Sequence, residues 1–600
     1  MDQPIPVRSQ LNPGDCWAVE DIFPTEEAWT QALEACKDLP QEIAAYKGRL
    51  GESAQTLLDY LSRMEAVNRR VEKIFVYAFL RLDEDTAHSA HRAMKGRCFS
   101  FVVQLQSAAS FEGPELVAIP DETLEAWYVQ EPGLEKFRRY LTKARLGKEH
   151  ILSPAEEALL AGAAEVGNAP SDVFNTFSDA DLTFPDASDS QGAAHAVTSG
   201  TYLALMSNAD RTLRENTFRG FYDTYKHYEN TLAAAYNAEV KKNIFFARAR
   251  KYPSALAAAL APNEVPEAVY HNLIASVRGN LDKMHRYMAL RKKIMGVDEL
   301  HMYDLYANML PEAGQVIPFS QARDEVLEAT RVLGEEYHAV LRSSFDHRWM
   351  DVYENKGKRS GAYSCGCPDV HPFVLLNHKD TLKSEFTLAH EMGHAMHSYL
   401  SDKNQPSIYS DYVLFVAEVA STCNEALLMQ YLLGRTTDKA KRAVLINHFL
   451  EQFRTTLYRQ TMFAEFELKA HQLAESGETL TAQNLNELYY GLNKDYYGEE
   501  TVVDQRIEIE WARIPHFYRR FYVYQYATGF SAAMALSSRI LKEGEPAVRD
   551  YLKFLSGGCS TDPVSLLKIA GVDMSTPEPV NAALELFGQL IGELEELAEG

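Results

Sequence analysis

Helical periodicity runs through almost all of this 600-residue chain, and one short stretch alone reads as a strand. Glu, Ala, Leu, Lys and Arg recur at three-to-four spacing across residues 26–48, 54–78, 86–110, 133–145, 154–165, 210–250, 265–293 and 319–345. That repeat lines apolar side chains along one helix face. Thr25 ahead of Glu26 and Glu27 supplies a helix start, with acids at the positive end of the dipole. Strand signal is confined to residues 371–377 (HPFVLLN), an apolar run after a glycine-rich loop. A predominantly α fold with a small β element is therefore expected. The length allows two to four domains. The clearest break, residues 178–202, is rich in Asp, Ser, Gly and Pro and can hold a short hairpin. It divides the chain into an N-terminal helical domain, 1–190, and a second domain, 191–600.

The second domain carries the stretch that bears on chemistry, residues 384–400 (SEFTLAHEMGHAMHSYL). On a helix, His390 and His394 project from one face, about 5–6 Å apart at Cβ, close enough for both imidazoles to hold one Zn²⁺. Glu391 lies one residue round, where it can reach a metal-bound water rather than the metal. This is the spacing of a zinc peptidase with Glu391 as general base. The motif is framed by Phe386, Leu388, Ala389, Met396 and Leu400, so it faces a core, where two histidines and an acid are costly unless satisfied.

A catalytic zinc needs a third protein ligand and an open position. Position 397 is histidine and position 400 leucine, which excludes the metzincin pattern. Residues 412–433 (YVLFVAEVASTCNEALLMQYLL) read instead as a second apolar helix, with Asp411 as its expected N-cap. Its only acids, Glu418 and Glu425, are seven apart and share a face. Glu418 is the expected third ligand, and Glu425 the carboxylate that orients a ligand histidine. A buried ion pair with Arg or Lys is the structural alternative for each.

With these residues in hand, the chain resembles the thimet-oligopeptidase-like metallopeptidases, and more closely their oligoendopeptidase F branch. Three further segments carry the likeness: 17–29 (WAVEDIFPTEEAW), 361–377 (GAYSCGCPDVHPFVLLN) and 514–533 (IPHFYRRFYVYQYATGFSAA). The resemblance spans nearly the whole chain. It implies a large helical metallopeptidase with a deep channel between helical lobes and a small β element beside the zinc site. It also implies a cytoplasmic endopeptidase that holds one zinc per chain and cuts short, unstructured peptides. His516 and Tyr526 would be donors to the developing oxyanion, with Tyr522 beside them. By spacing alone Tyr518, Tyr522 and Tyr526 share a helix face, which a core would use as readily as a cleft. Cys365, Cys367 and His378 depart from the family pattern, and no role follows for them.

Composition narrows the partners. A net charge of −24 argues against nucleic acid and anionic membrane. The opening residues lack the basic and apolar regions of a secretory signal. Seven scattered cysteines suit a reducing compartment, with Cys365 and Cys367 as free thiols. Residues 355–366 lack the Walker spacing, so the loop reads as a mobile segment draping over a peptide, beside a strand able to pair with it. Two rival functions remain. One is a zinc carboxypeptidase using Arg513, Arg519 or Arg520 for the substrate carboxylate. The other is a non-catalytic peptide-binding protein with structural zinc. Oligomeric state is not legible.

Overall fold

The computed structural model describes residues 5–310 and 316–599. About 71% of the chain is helical, as the periodicity predicts. Two compact units emerge, each drawn from three stretches: Met1–Glu149, Gln315–Leu428 and Leu536–Gly571 in unit 1; His150–Gly314, Met429–Ala535 and Val572–Gly600 in unit 2. The single cut expected at 190 falls inside the first stretch of unit 2. The break around it does form a hairpin, Ala187–Ser188 against Ala194–His195, whose turn is held by Asp189 accepting from the Gln191 and Ala193 N–H groups.

Several expected helices divide at residues with a local reason to do so. The stretch 26–48 becomes Glu26–Glu34, capped by Thr25 as expected, and Leu39–Ala44, because Pro40 cannot continue a preceding helix but suits the first turn of a new one. The stretch 319–345 becomes Phe319–Ala329 and Glu335–Asp346, parted by Gly334 at φ +92°.

In unit 1 the helices Ala54–Glu84 and Ser89–Ala108 enclose a core built on Trp17, Trp29, Leu57, Tyr60 and Phe137. Cys367, Phe373 and Leu375 join that core, so the small sheet is seated in the N-terminal helices. Phe373–Leu375 is the central strand, parallel to Met350–Asp351 and antiparallel to Tyr363–Cys365. With both edges paired it cannot accept a substrate strand, which corrects the pairing expected for residues 371–377. The loop before it is anchored rather than loose in its first half. Lys358 Nζ meets Asp351 Oδ1 at 2.6 Å with both side chains fully buried, and the Gly357 carbonyl accepts from the Thr86 N–H at 2.7 Å.

Unit 2 is aromatic at its centre. Tyr236, Phe466, Trp511 and Phe517 pack ring on ring. Beside them buried Glu510 accepts from Tyr222, Arg459 and Arg513 on Oε1 and from Tyr489 on Oε2, at 2.6–2.9 Å, so both of its oxygens have donors. Among the described residues no helix is long and apolar enough to cross a membrane.

Candidate active site

The motif helix, Leu382–Asn404, starts at Thr381, whose Oγ1 accepts from the Ser384 N–H at 3.2 Å. Phe386, Leu388, Ala389, Met392, Ala395 and Met396 bury its apolar face. Tyr363–Cys365 and Phe373–Leu375 pack on it, placing the β element beside the motif as the resemblance implies. The second helix, Leu414–Arg435, begins two residues later than expected. Asp411 therefore does not cap it, and its carboxylate accepts from the Tyr412 N–H instead.

What joins the two helices is a pair of residues that the sequence reading passed over. A Cβ on Gly393 would stand 2.6 Å from Ser421 Cα and 2.7 Å from the Ala420 carbonyl oxygen. Only glycine lets the two backbones lie this close. Fully buried Asn424 then donates from Nδ2 to the Ala389 carbonyl at 3.3 Å and to the Tyr337 hydroxyl at 3.1 Å. The available signal was Asn424 itself, an amide in an apolar helix that needs partners when buried.

This contact carries Glu418 to the histidines. Glu418 Oε2 lies 3.3 Å from His390 Nε2 and 3.6 Å from His394 Nε2, and the two Nε2 atoms are 3.2 Å apart. Donors about 2.0–2.1 Å from a tetrahedral ion stand about 3.3 Å from one another, so this triangle fits a zinc-sized cation. Among the described residues it is the one cluster of His, Cys, Asp and Glu placed to hold a metal. Burial opposes the charge of Glu418, yet hydrogen bonding to two imidazoles holds its carboxyl well below the ordinary range. Neither Lys nor Arg is among its close partners in the described residues, which removes the ion-pair alternative for Glu418. His390 Nδ1–H donates to Glu425 Oε1 at 2.6 Å, turning Nε2 toward the triangle. Glu391 is 6% exposed, one of its oxygens has no hydrogen-bond partner, and burial pushes its pKa up despite the two imidazoles. A carboxylate kept dry and unbonded is one able to accept a proton.

The tyrosine segment is not a continuous helix. Pro515–Tyr518 forms a 3₁₀ turn, and the helix proper is Tyr524–Glu543. Tyr518 is thereby separated from Tyr522 and Tyr526, and stacks on Phe174 at 4.4 Å. The turn instead brings His516 to both remaining tyrosines, 5.8 Å from the Tyr522 ring and 5.9 Å from the Tyr526 ring. The Tyr526 hydroxyl donates to that of Tyr522 at 3.4 Å. Burial and nearby Arg519 hold His516 below its ordinary pKa, as a neutral imidazole. Cys365 and Cys367 are free thiols, as expected, and burial pushes the Cys365 thiol up to about 12. His378 is buried against Phe319 and Tyr353.

The family model for peptidase family M3 matches residues 204–586, and one described as oligopeptidase F matches residues 115–184. The oligopeptidase PepF of Bacillus subtilis is 44% identical over 99% of this chain and 88% of its own. The group B oligopeptidase PepB of Streptococcus agalactiae is 38% identical over 98% of both. Among solved structures, the oligoendopeptidase-F of Enterococcus faecium superposes with a TM-score of 0.73 at 36% identity, covering 97% of this chain and 100% of that one. The chain belongs to peptidase family M3 and is a metalloendopeptidase.

Proposed function

We propose that the chain is a zinc-dependent endopeptidase hydrolysing internal bonds of short, unstructured oligopeptides, in a reducing cytoplasm that suits its seven free thiols. The observation that carries the reading is the convergence of His390, His394 and Glu418 at the spacing of a tetrahedral ion, with the unbonded oxygen of Glu391 alongside. Held by those three ligands, zinc supplies Lewis acidity for the scissile carbonyl and for water. Glu391 takes the proton of the attacking water and passes it to the departing amine. Glu425 keeps His390 in the tautomer whose Nε2 is free to ligate. His516 and Tyr526, with Tyr522 beside them, donate hydrogen bonds to the carbonyl oxygen as it gains charge. The relatives named oligopeptidase and oligoendopeptidase support the substrate class.

The carboxypeptidase alternative is weakened by Arg513, which is already committed to buried Glu510 at 2.9 Å. The structural-zinc alternative is weakened by Glu391, which a closed four-ligand site has no use for. A quenched peptide blocked at both ends tests all three readings. Internal cleavage that stops with chelator and returns with Zn²⁺ is the expected result. Failure to cut any blocked peptide would overturn it.

A further inference from the structure

Phe521 sits in the left-handed region at φ +53°, where a bulky aromatic stays only if its surroundings impose it. Its ring is 2% exposed and packs against His471 at 4.5 Å and Tyr270 at 5.7 Å. Its N–H donates to Glu467 Oε1 at 2.6 Å. Glu467 lies in the helix Arg459–Glu475, is 0% exposed, and its other oxygen has no hydrogen-bond partner. One turn later His471 Nδ1–H donates to the Glu467 carbonyl at 2.8 Å. A carbonyl only accepts, so Nε2 of this neutral ring accepts from Asn243 at 3.3 Å. Burial pushes the Glu467 carboxyl far above its ordinary range and holds His471 at about 4.

A dry acid without a cationic partner is an expensive way to fill a core. Its hydrogen bond to Phe521 falls where the chain leaves the turn of His516 and enters the helix of Tyr526. Tyr522 follows directly, its ring 5.8 Å from that of His516 and 5.4 Å from that of Tyr526. We propose that Glu467 is a positioning residue, whose carboxyl locks Phe521 in the left-handed conformation and so sets the Tyr522 and Tyr526 rings beside His516. It touches no substrate. The inference rests on the reading of His516 and Tyr526 as oxyanion donors, and has a consequence independent of it, the rigidity of residues 519–526.

Three substitutions separate the lock from bulk packing. Glu467→Gln keeps an acceptor of the same reach, Glu467→Asp withdraws the acid by one methylene, and Glu467→Leu removes the acceptor. Kinetics on the quenched peptide are read beside amide hydrogen exchange of residues 519–526. Glu467→Gln should retain kcat within a few-fold. Glu467→Asp and Glu467→Leu should lose kcat by about 10–100-fold, the scale of an ångström's misplacement. KM and zinc content should hold, and exchange of 519–526 should quicken. If Glu467→Leu fails to fold, the Gln and Asp pair carries the test. Unchanged exchange in Glu467→Asp would overturn the lock, and quickened exchange with wild-type kcat would overturn its role in positioning. Should Tyr526→Phe and His516→Ala also turn over normally, the donor reading has failed, and exchange alone still judges the lock.

Discussion

At the scale of single residues, the proposed roles divide between holding a metal and moving a proton. Glu391→Gln removes the acceptor without touching the three ligands, so metal content and melting temperature should stay while kcat falls by about 10²–10⁴-fold. Glu418→Ala takes away one corner of the triangle and should lower zinc affinity in a chelator competition. Glu425→Gln leaves that corner intact and should cost about 10–100-fold in affinity or activity. Full metal retention by Glu418→Ala at low free zinc would reverse those roles. Tyr526→Phe should lower kcat by about 10²–10³-fold with little change in KM, because an oxyanion donor acts most in the transition state. A wild-type kcat would return Tyr526 to packing. His390, Glu391 and His394 were legible because a spacing of four on one helix is a local fact. Tyr518 was misplaced for the opposite reason: its 3₁₀ turn ends before the helix of Tyr526 begins, and the left-handed Phe521 between them is bonded to Glu467, more than fifty positions away in sequence, which nothing in an aromatic's own preferences announces.

At the scale of elements, the decisive event is the approach of two helices. Glu418 comes within reach of the histidines because Gly393 admits the backbone of residues 420–421, and Asn424 fixes the register. Gly393→Ala should force the helices apart. We expect a stability loss of about 1–3 kcal/mol by urea unfolding, as for an overpacked core, together with weaker zinc retention. Unaltered metal affinity would show that the close approach is not what aligns Glu418. The helix breaks at Pro40 and Gly334 have local signals, since proline and glycine interrupt a helix by their own backbone chemistry. The crossing at Gly393 has none, because a glycine's neighbour across a helix pair is tertiary information. The sheet shows the same divide. Its apolar run marked a strand, but which strands flank it depends on residues 350–351 and 363–365 arriving from elsewhere.

At the scale of the whole molecule, each unit keeps a buried neutral histidine, His397 in unit 1 and His471 in unit 2. Burial holds them at about 3 and about 4, against about 6.5 in an unfolded chain. Below pH 6.5 the unfolded chain takes up protons that the folded one refuses, so stability is complete above that value and declines as pH falls toward 4. Between pH 7 and 5.5 each histidine should cost about 1 kcal/mol, so His471→Gln should lessen the fall of unfolding free energy over that interval by about that amount relative to the parent. An identical pH dependence in the two proteins would contradict the neutrality of His471. The interleaving of the two units bears on how the enzyme comes to exist. Residues 545–555 back the motif helix, with Phe554 against His397, yet the ribosome makes them some 150 residues after the histidines they support. During synthesis the ligands are finished long before their scaffold is, so competence to cut peptides arrives late, and a nascent chain is kept from being a protease by its own topology.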